Sequence, residues 1–172
     1  MYGMNISISK ANIGSISNIQ QVARDAWPVA FAEILTPQQI EYMMEMMYSK
    51  EALTKQIVEL NHHFFIAKVD GSAVGYISIE HNINQSNKTK IHKIYLLPEY
   101  QSLGVGHALY KYAVAEAELN GDIAIYLNVN KYNKKAISFY RRVGFKVVKE
   151  EIIDIGNGFV MDDYVFEIDI TQ

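Results

Sequence analysis

Residues 98–108 read Pro-Glu-Tyr-Gln-Ser-Leu-Gly-Val-Gly-His-Ala, with glycines at the alternate positions 104 and 106 just ahead of a helical pattern. Glycines so placed let the main chain pass close to a ligand. The first N–H groups of the helix lack intrahelical acceptors, and together with the positive end of the helix dipole they form an anion site suited to a pyrophosphate. Two other phosphate loops fail on residue chemistry. A Walker A loop ends Gly-Lys-Ser/Thr, but Gly106 is followed by His107 and Ala108. A dinucleotide fingerprint wants a third glycine where Leu109 stands, and an acidic residue where the next strand ends in Asn128-Val129-Asn130. About thirty residues on comes Asn133-Lys-Lys-Ala-Ile-Ser-Phe-Tyr-Arg-Arg-Val-Gly-Phe145. Asn133 fits a helix N-cap. Lys134 and Lys135 then fall in the first turn, where cations oppose the dipole and a bound anion would account for them.

The elements that must hold these groups follow from periodicity. Residues 5–9 alternate as a strand, and 15–26 read as a helix broken before Pro28. Thr36-Pro37-Gln38-Gln39 opens a second helix with a cap, a first-turn proline and a capping-box glutamine. Ile40, Met43, Met44 and Met47 follow at helical spacing, and a third helix from Ser49 aligns Leu53, Ile57 and Leu60. The period then changes. Strands at 63–69 and 73–81 flank the hairpin dipeptide Asp70-Gly71, and a third strand spans 90–97. A helix over 104–120 stops at Gly121, a strand covers 123–129, and a helix over 133–143 ends at Gly144. Strands at 145–154 and 159–169 flank Gly156-Asn157-Gly158. This is a mixed α/β chain with an antiparallel front half and one βαβ crossover.

Gln101-x-x-Gly104-x-Gly106 after a strand, followed by Asn133-x-x-Ala136-x-x-Phe139-Tyr140-x-x-x-Gly144-Phe145, resembles the GNAT superfamily of acyl-CoA-dependent N-acetyltransferases. The N-terminal segment 26–49, with Trp27, Phe31, Tyr42 and Tyr48, is similar to small bacterial members that acetylate amines, polyamines among them. The resemblance implies a mostly antiparallel, twisted central sheet with splayed middle strands and flanking helices. It implies one N-acetyltransferase domain over 1–172, with acceptor-side helices in about 1–62 and an acetyl-CoA-binding core in about 63–170. Acetyl-CoA would be the co-substrate, with no metal. Its pyrophosphate would lie on the amides of Leu103, Gly104, Val105, Gly106, His107 and Ala108, next to Gln101. Its pantetheine arm would lie on main-chain groups of Tyr95, Leu96 and Leu97, with Asn133 alongside and Lys134 or Lys135 near the 3′-phosphate. Tyr140 would protonate the departing thiolate, as a phenol of matching basicity can, and a main-chain N–H would hold the oxyanion. The amine must lose a proton before attack, and Glu80, His81 and His92 are the candidate bases. Trp27, Tyr42 and Tyr48 would line the acceptor pocket.

Composition narrows the chemistry further. The 172 residues contain no cysteine, which removes disulfides, cysteine zinc sites and a cysteinyl acyl-enzyme, and so favours direct transfer in a ternary complex. The five histidines form no HExxH. The net charge of −3 argues against nucleic acid as a partner. It divides unevenly: 16 basic and 12 acidic groups in residues 1–149, seven acidic and no basic in 150–172. The acidic end would attract a cationic amine through Asp162 and Asp163. Without a basic leader, a signal core or a long apolar run, a soluble cytoplasmic protein is expected. The strand at Tyr164–Ile170 is a candidate contact for a homodimer. The competing functional readings are acetylation of a protein or peptide amine, which wants an open groove, and an acyl-CoA-binding module without turnover.

Overall fold

The structure is a computed structural model and describes residues 3–171. Met1 and Tyr2 of the N-terminal segment and Gln172 of the acidic end lie outside the described residues. The order is β1 (Ile6–Lys10), α1 (Ile16–Phe31), α2 (Pro37–Tyr48), α3 (Lys50–Val58), β2 (His63–Val69), β3 (Ser72–Glu80), β4 (Lys88–Leu96), α4 (Val105–Asn120), β5 (Ala124–Asn130), α5 (Lys134–Val143), β6 (Lys146–Gly156) and β7 (Phe159–Asp169), with short 3₁₀ turns between some of them. The seven strands form one sheet in the order β1-β2-β3-β4-β5-β7-β6. Only β4 and β5, joined through α4, run parallel.

Strand alternation gives the sheet two apolar faces. Phe65, Ile77, Ile79, Ile91, Ile125 and Phe166 pack beneath Val105, Leu109, Ala113 and Ala117 of α4 and Tyr140 of α5. Phe64, Ile66 and Tyr76 meet Ile19, Trp27 and Phe31 of α1, Met43 of α2 and Leu53 of α3 on the other face. The glycine loop's helix and α5 thus sit on one side and the first three helices on the other.

Local chemistry explains most element ends. The Thr36 and Ser49 hydroxyls accept from the Gln39 and Ala52 N–H groups, capping α2 and α3. Asp70 and Gly71 both take positive φ, as a two-residue primed hairpin turn requires. Three expectations change. Pro28 lies inside α1 rather than ending it: it is on the exposed face, so the carbonyl it leaves unpaired meets water, while Trp27 and Phe31 anchor the buried face. Gln39 does not close a capping box; its amide instead donates to the Val160 carbonyl at 3.1 Å. The strand at Tyr164–Ile170 is no sheet edge, since β7 lies between β5 and β6 and the edge is β6.

Candidate active site

Parallel pairing between β4 and β5 covers only Lys88–Ile91 against Ala124–Leu127. Both strands continue, held by their outer neighbours: β4 to Leu96 opposite Gly75, and β5 to Asn130 opposite Asp163. The two middle strands therefore diverge. A cavity of about 100 Å³ opens in the gap, lined by Tyr95 of β4, Asn128 and Asn130 of β5, Asn133 and Tyr140 from the α5 segment, Asp163 of β7 and Phe31 of α1. The Leu97 N–H, one of the expected cofactor contacts, is taken by the Val74 carbonyl at 2.8 Å. Ladder alternation then turns the main-chain groups of Ile94 and Leu96 toward the gap. Gly75 secures this geometry: a Cβ there would lie 2.4 Å from a Leu96 methyl and 3.0 Å from the Tyr95 carbonyl.

The entrance loop lies at the N-terminus of α4. Gly104 takes φ +87°, and a Cβ on Gly106 would make ordinary contact with Leu96 at 3.4 Å. The first glycine serves a backbone conformation that side chains rarely adopt. The N–H groups of Leu103 to His107 make no hydrogen bond among the described residues, while that of Ala108 already donates to the Gly104 carbonyl at 3.0 Å. Five consecutive amides thus fit an anion, and Ala108 has no free donor. Lys135 Nζ donates to Gln101 Oε1 at 2.9 Å, joining the two sequence motifs. Asn133 is the α5 cap, its Oδ1 accepting from the Ala136 N–H at 3.2 Å. Its amide nitrogen stays available to the cavity it lines. Tyr140 is 6% exposed, and burial, reinforced by Tyr95, raises its phenol well above the ordinary value. It remains a proton donor throughout the physiological range.

On the opposite side of the cavity, neighbouring acidic residues separate. Asp163 is 5% exposed, lines the cavity, and its Oδ1 meets no partner. Burial raises its pKa, and Glu151 and Asp162 add to the rise against Asn128 and Lys90. Asp162 forms an ion pair with Lys131 at 2.9 Å. Strand alternation puts the two carboxylates on opposite faces, so of the pair named from the sequence only Asp163 lines the cavity.

His92 and Glu80 meet because of a bulge. Ser78 pairs with Lys93 and Ile79 with Ile91, which leaves His92 as the extra residue of β4. Its Nε2 lies 2.8 Å from Glu80 Oε2, while Lys93 beside it also enters the helical face. His62 stacks on His92 with ring centroids 3.9 Å apart. Burial lowers the pKa of both imidazoles, so both are neutral near pH 7. His81 is elsewhere, bonded to Thr89 at 3.0 Å. Sequence reasoning passed over Lys93, which is 8% exposed, donates to Gln56 Oε1 at 2.8 Å, and is lowered to about 8 by burial and Lys90. The bulge that carries it inward has no signature in residue type.

The aromatic expectation needs correction. Trp27 and Tyr48 are 2% and 3% exposed, and neither lines the cavity. The Trp27 Nε1–H donates to Tyr48 Oη at 3.1 Å and the Tyr76 hydroxyl donates to the same oxygen at 2.6 Å. This buried polar knot supports Phe31 and Tyr95, whose rings lie 4.5 and 5.3 Å from Trp27 and do line the cavity. Tyr42 acts as a tie: its hydroxyl donates to the Ile155 carbonyl at 2.8 Å, holding α2 against the β6–β7 hairpin.

The acetyltransferase (GNAT) family model matches residues 19–145. The spermidine N(1)-acetyltransferase of Thermoplasma acidophilum is 31% identical over 163 residues, covering 92% of this chain and 97% of that protein. The N-alpha-acetyltransferase of Sulfurisphaera tokodaii is 34% identical over 105 residues, covering 55% and 63%. Among solved structures, the PaiA N-acetyltransferase of Thermoplasma acidophilum in complex with coenzyme A superimposes with a TM-score of 0.81 at 28% identity, over 96% of this chain and 99% of that one.

Proposed function

The chain belongs to the GNAT family of acetyltransferases, N-acetyltransferases that use acetyl-CoA, and from that premise we propose that it acetylates a primary amine of a small polycationic molecule, a polyamine, by direct attack in a ternary complex. The observation that carries this reading is that Tyr140 and Asp163, whose Oδ1 has no partner while its Oδ2 accepts from Asn128, line one cavity between the diverging strands. Acetyl-CoA supplies the acetyl group, with its pyrophosphate on the amides of Leu103–His107. The Ile94 or Leu96 N–H stabilises the oxyanion, and Tyr140 gives its proton to the leaving thiolate. His92, hydrogen-bonded to the Glu80 carboxylate, receives the proton that the acceptor ammonium must lose and relays it to Glu80 and solvent, so that the neutral amine attacks the thioester carbonyl. Asp163 holds a second ammonium of the same molecule, which a monoamine lacks.

The relative from Sulfurisphaera tokodaii favours a second reading, acetylation of a peptide α-amine. The acceptor side speaks for the small amine: Tyr42 and Gln39 of α2 bond to the Ile155 and Val160 carbonyls, so the hairpin roofs the space a peptide would cross. The proposal includes one acetyltransferase domain, a cytoplasmic setting and self-association through β6. The test is thiol release from acetyl-CoA with monoamines, diamines, polyamines and short peptides. Faster release with di- and polyamines than with monoamines is expected. Release with peptides alone would favour the second reading, and acceleration by no amine would overturn both.

A further inference from the structure

His62, Glu80 and His92 come from three separate elements and converge on one carboxylate oxygen. His62 follows Asn61, whose φ of +61° turns the chain out of α3, and its own N–H is held by the Gln56 carbonyl at 2.9 Å. Glu80 ends β3, and His92 is the bulged residue of β4. The His92 and His62 Nε2 atoms lie 2.8 and 3.5 Å from Glu80 Oε2. No Lys or Arg among the described residues pairs with Glu80. One oxygen approached by two imidazole nitrogens makes one good hydrogen bond and one that is too long. The same spacing matches the ligands of a metal ion, toward which the stacked His62 and His92 rings, 16° from parallel, must each turn to aim a nitrogen. Ligands about 2.0–2.1 Å from a tetrahedral zinc lie roughly 3.3 Å from each other. The three side chains are 11%, 26% and 18% exposed, so the cluster is partly sheltered yet open to solvent.

We propose that His62, Glu80 and His92 form a binding site for a divalent transition ion of the zinc class, with one coordination position open, and that the ion inhibits acetyl transfer by occupying the His92 nitrogen. The ion is a regulator and takes no part in the reaction. The site itself stands on the convergence of three ligands; its inhibitory effect rests on the reading of His92 as proton acceptor given above. Two imidazoles and one carboxylate with an open fourth position is a ligand set that zinc accepts in proteins.

The test uses the full chain after chelator treatment, with Co²⁺ as the optical probe. Titration of wild type should give saturable visible d–d bands at one ion per chain. His62→Ala and Glu80→Gln should weaken binding at least tenfold, each checked for native circular dichroism. Equal bands in wild type and His62→Ala, or no bands at all, would overturn the site. Acetylation of a polyamine is then compared with Zn²⁺ and with chelator for each protein. The wild-type ratio should fall at least tenfold and the His62→Ala ratio should stay near one. Bands without inhibition would overturn the regulatory role. Bands that depend on His62 in a protein that acetylates no amine would support the metal site while refuting the proposed acetylation, so the two failures are distinguishable.

Discussion

Tyr140 and Asp163 are buried residues of one cavity, Asp163 Oδ1 having no hydrogen-bond partner, and each makes its own prediction. Tyr140→Phe keeps the ring that packs on Phe145 and Phe166 and removes only the acid. Its kcat should fall by roughly 10²-fold or more, with little change in acetyl-CoA affinity by calorimetry. Unchanged turnover would remove Tyr140 from the chemistry. Asp163→Asn should raise KM for a polyamine by roughly tenfold and leave KM for a monoamine unchanged. Its effect on stability has the opposite sign. The folded pKa of Asp163 is raised, so its carboxyl favours the fold when protonated and loses that contribution as pH rises through the folded value. Asp163→Asn should therefore melt about 2–4 °C higher than wild type near pH 7. The difference should disappear on acidification below the ordinary carboxylate range, as melting curves across pH would report.

Elements decide where such residues point, and here sequence and structure part company. The strand–loop–helix at 90–120 and the helix at 133–143 were legible because glycine, proline and asparagine punctuate them chemically. So were the glycine loop and the burial of Tyr140 beside the cavity, which those elements carry. The inward turn of both His92 and Lys93 was not legible, because a bulge in β4 arises from pairing with β3 and leaves no pattern in the chain. Trp27 and Tyr48 looked like pocket lining because aromatics serve walls and cores alike, and only packing separates the two. Gly75 escaped notice for the same reason, and Gly156 was legible as a turn residue but not as a neighbour of Tyr42. A Cβ on Gly156 would lie 2.6 Å from the Tyr42 hydroxyl, so Gly156→Ala should release the α2–hairpin tie, as should Tyr42→Phe by removing the bond to Ile155. Both variants are expected to raise KM for small amines several-fold while preserving kcat within about twofold. A matching fall in kcat with constant KM would mean that the roof acts on the chemistry instead.

At the scale of the whole molecule, the acidic end is largely answered by the basic body. Lys88 pairs with Glu167, Lys131 with Glu150 and Asp162, and Lys149 with Glu151. The seven carboxylates of 150–172 thus do not act as one field, and Asp163 is the one inside the cavity. The sheet ends differently on its two sides. On one edge, β1 has five residues and ends in Lys10, as protected edges commonly do. On the other, β6 runs for eleven residues with one flank unpaired, and Val148, Ile152 and Ile153 are 55%, 73% and 37% exposed. A long apolar edge is a template for strand pairing, and pairing with a second copy about a twofold axis would close both edges at once. Sedimentation should show a concentration-dependent dimer. Ile152→Lys puts a charge on each side of that axis, so it should shift the population to monomer without lowering the monomer's melting temperature by more than about 2 °C. A wild-type chain that sediments as a monomer at every concentration would leave β6 guarded well enough by Lys146, Lys149 and Glu150, and the edge would have no partner of its own kind.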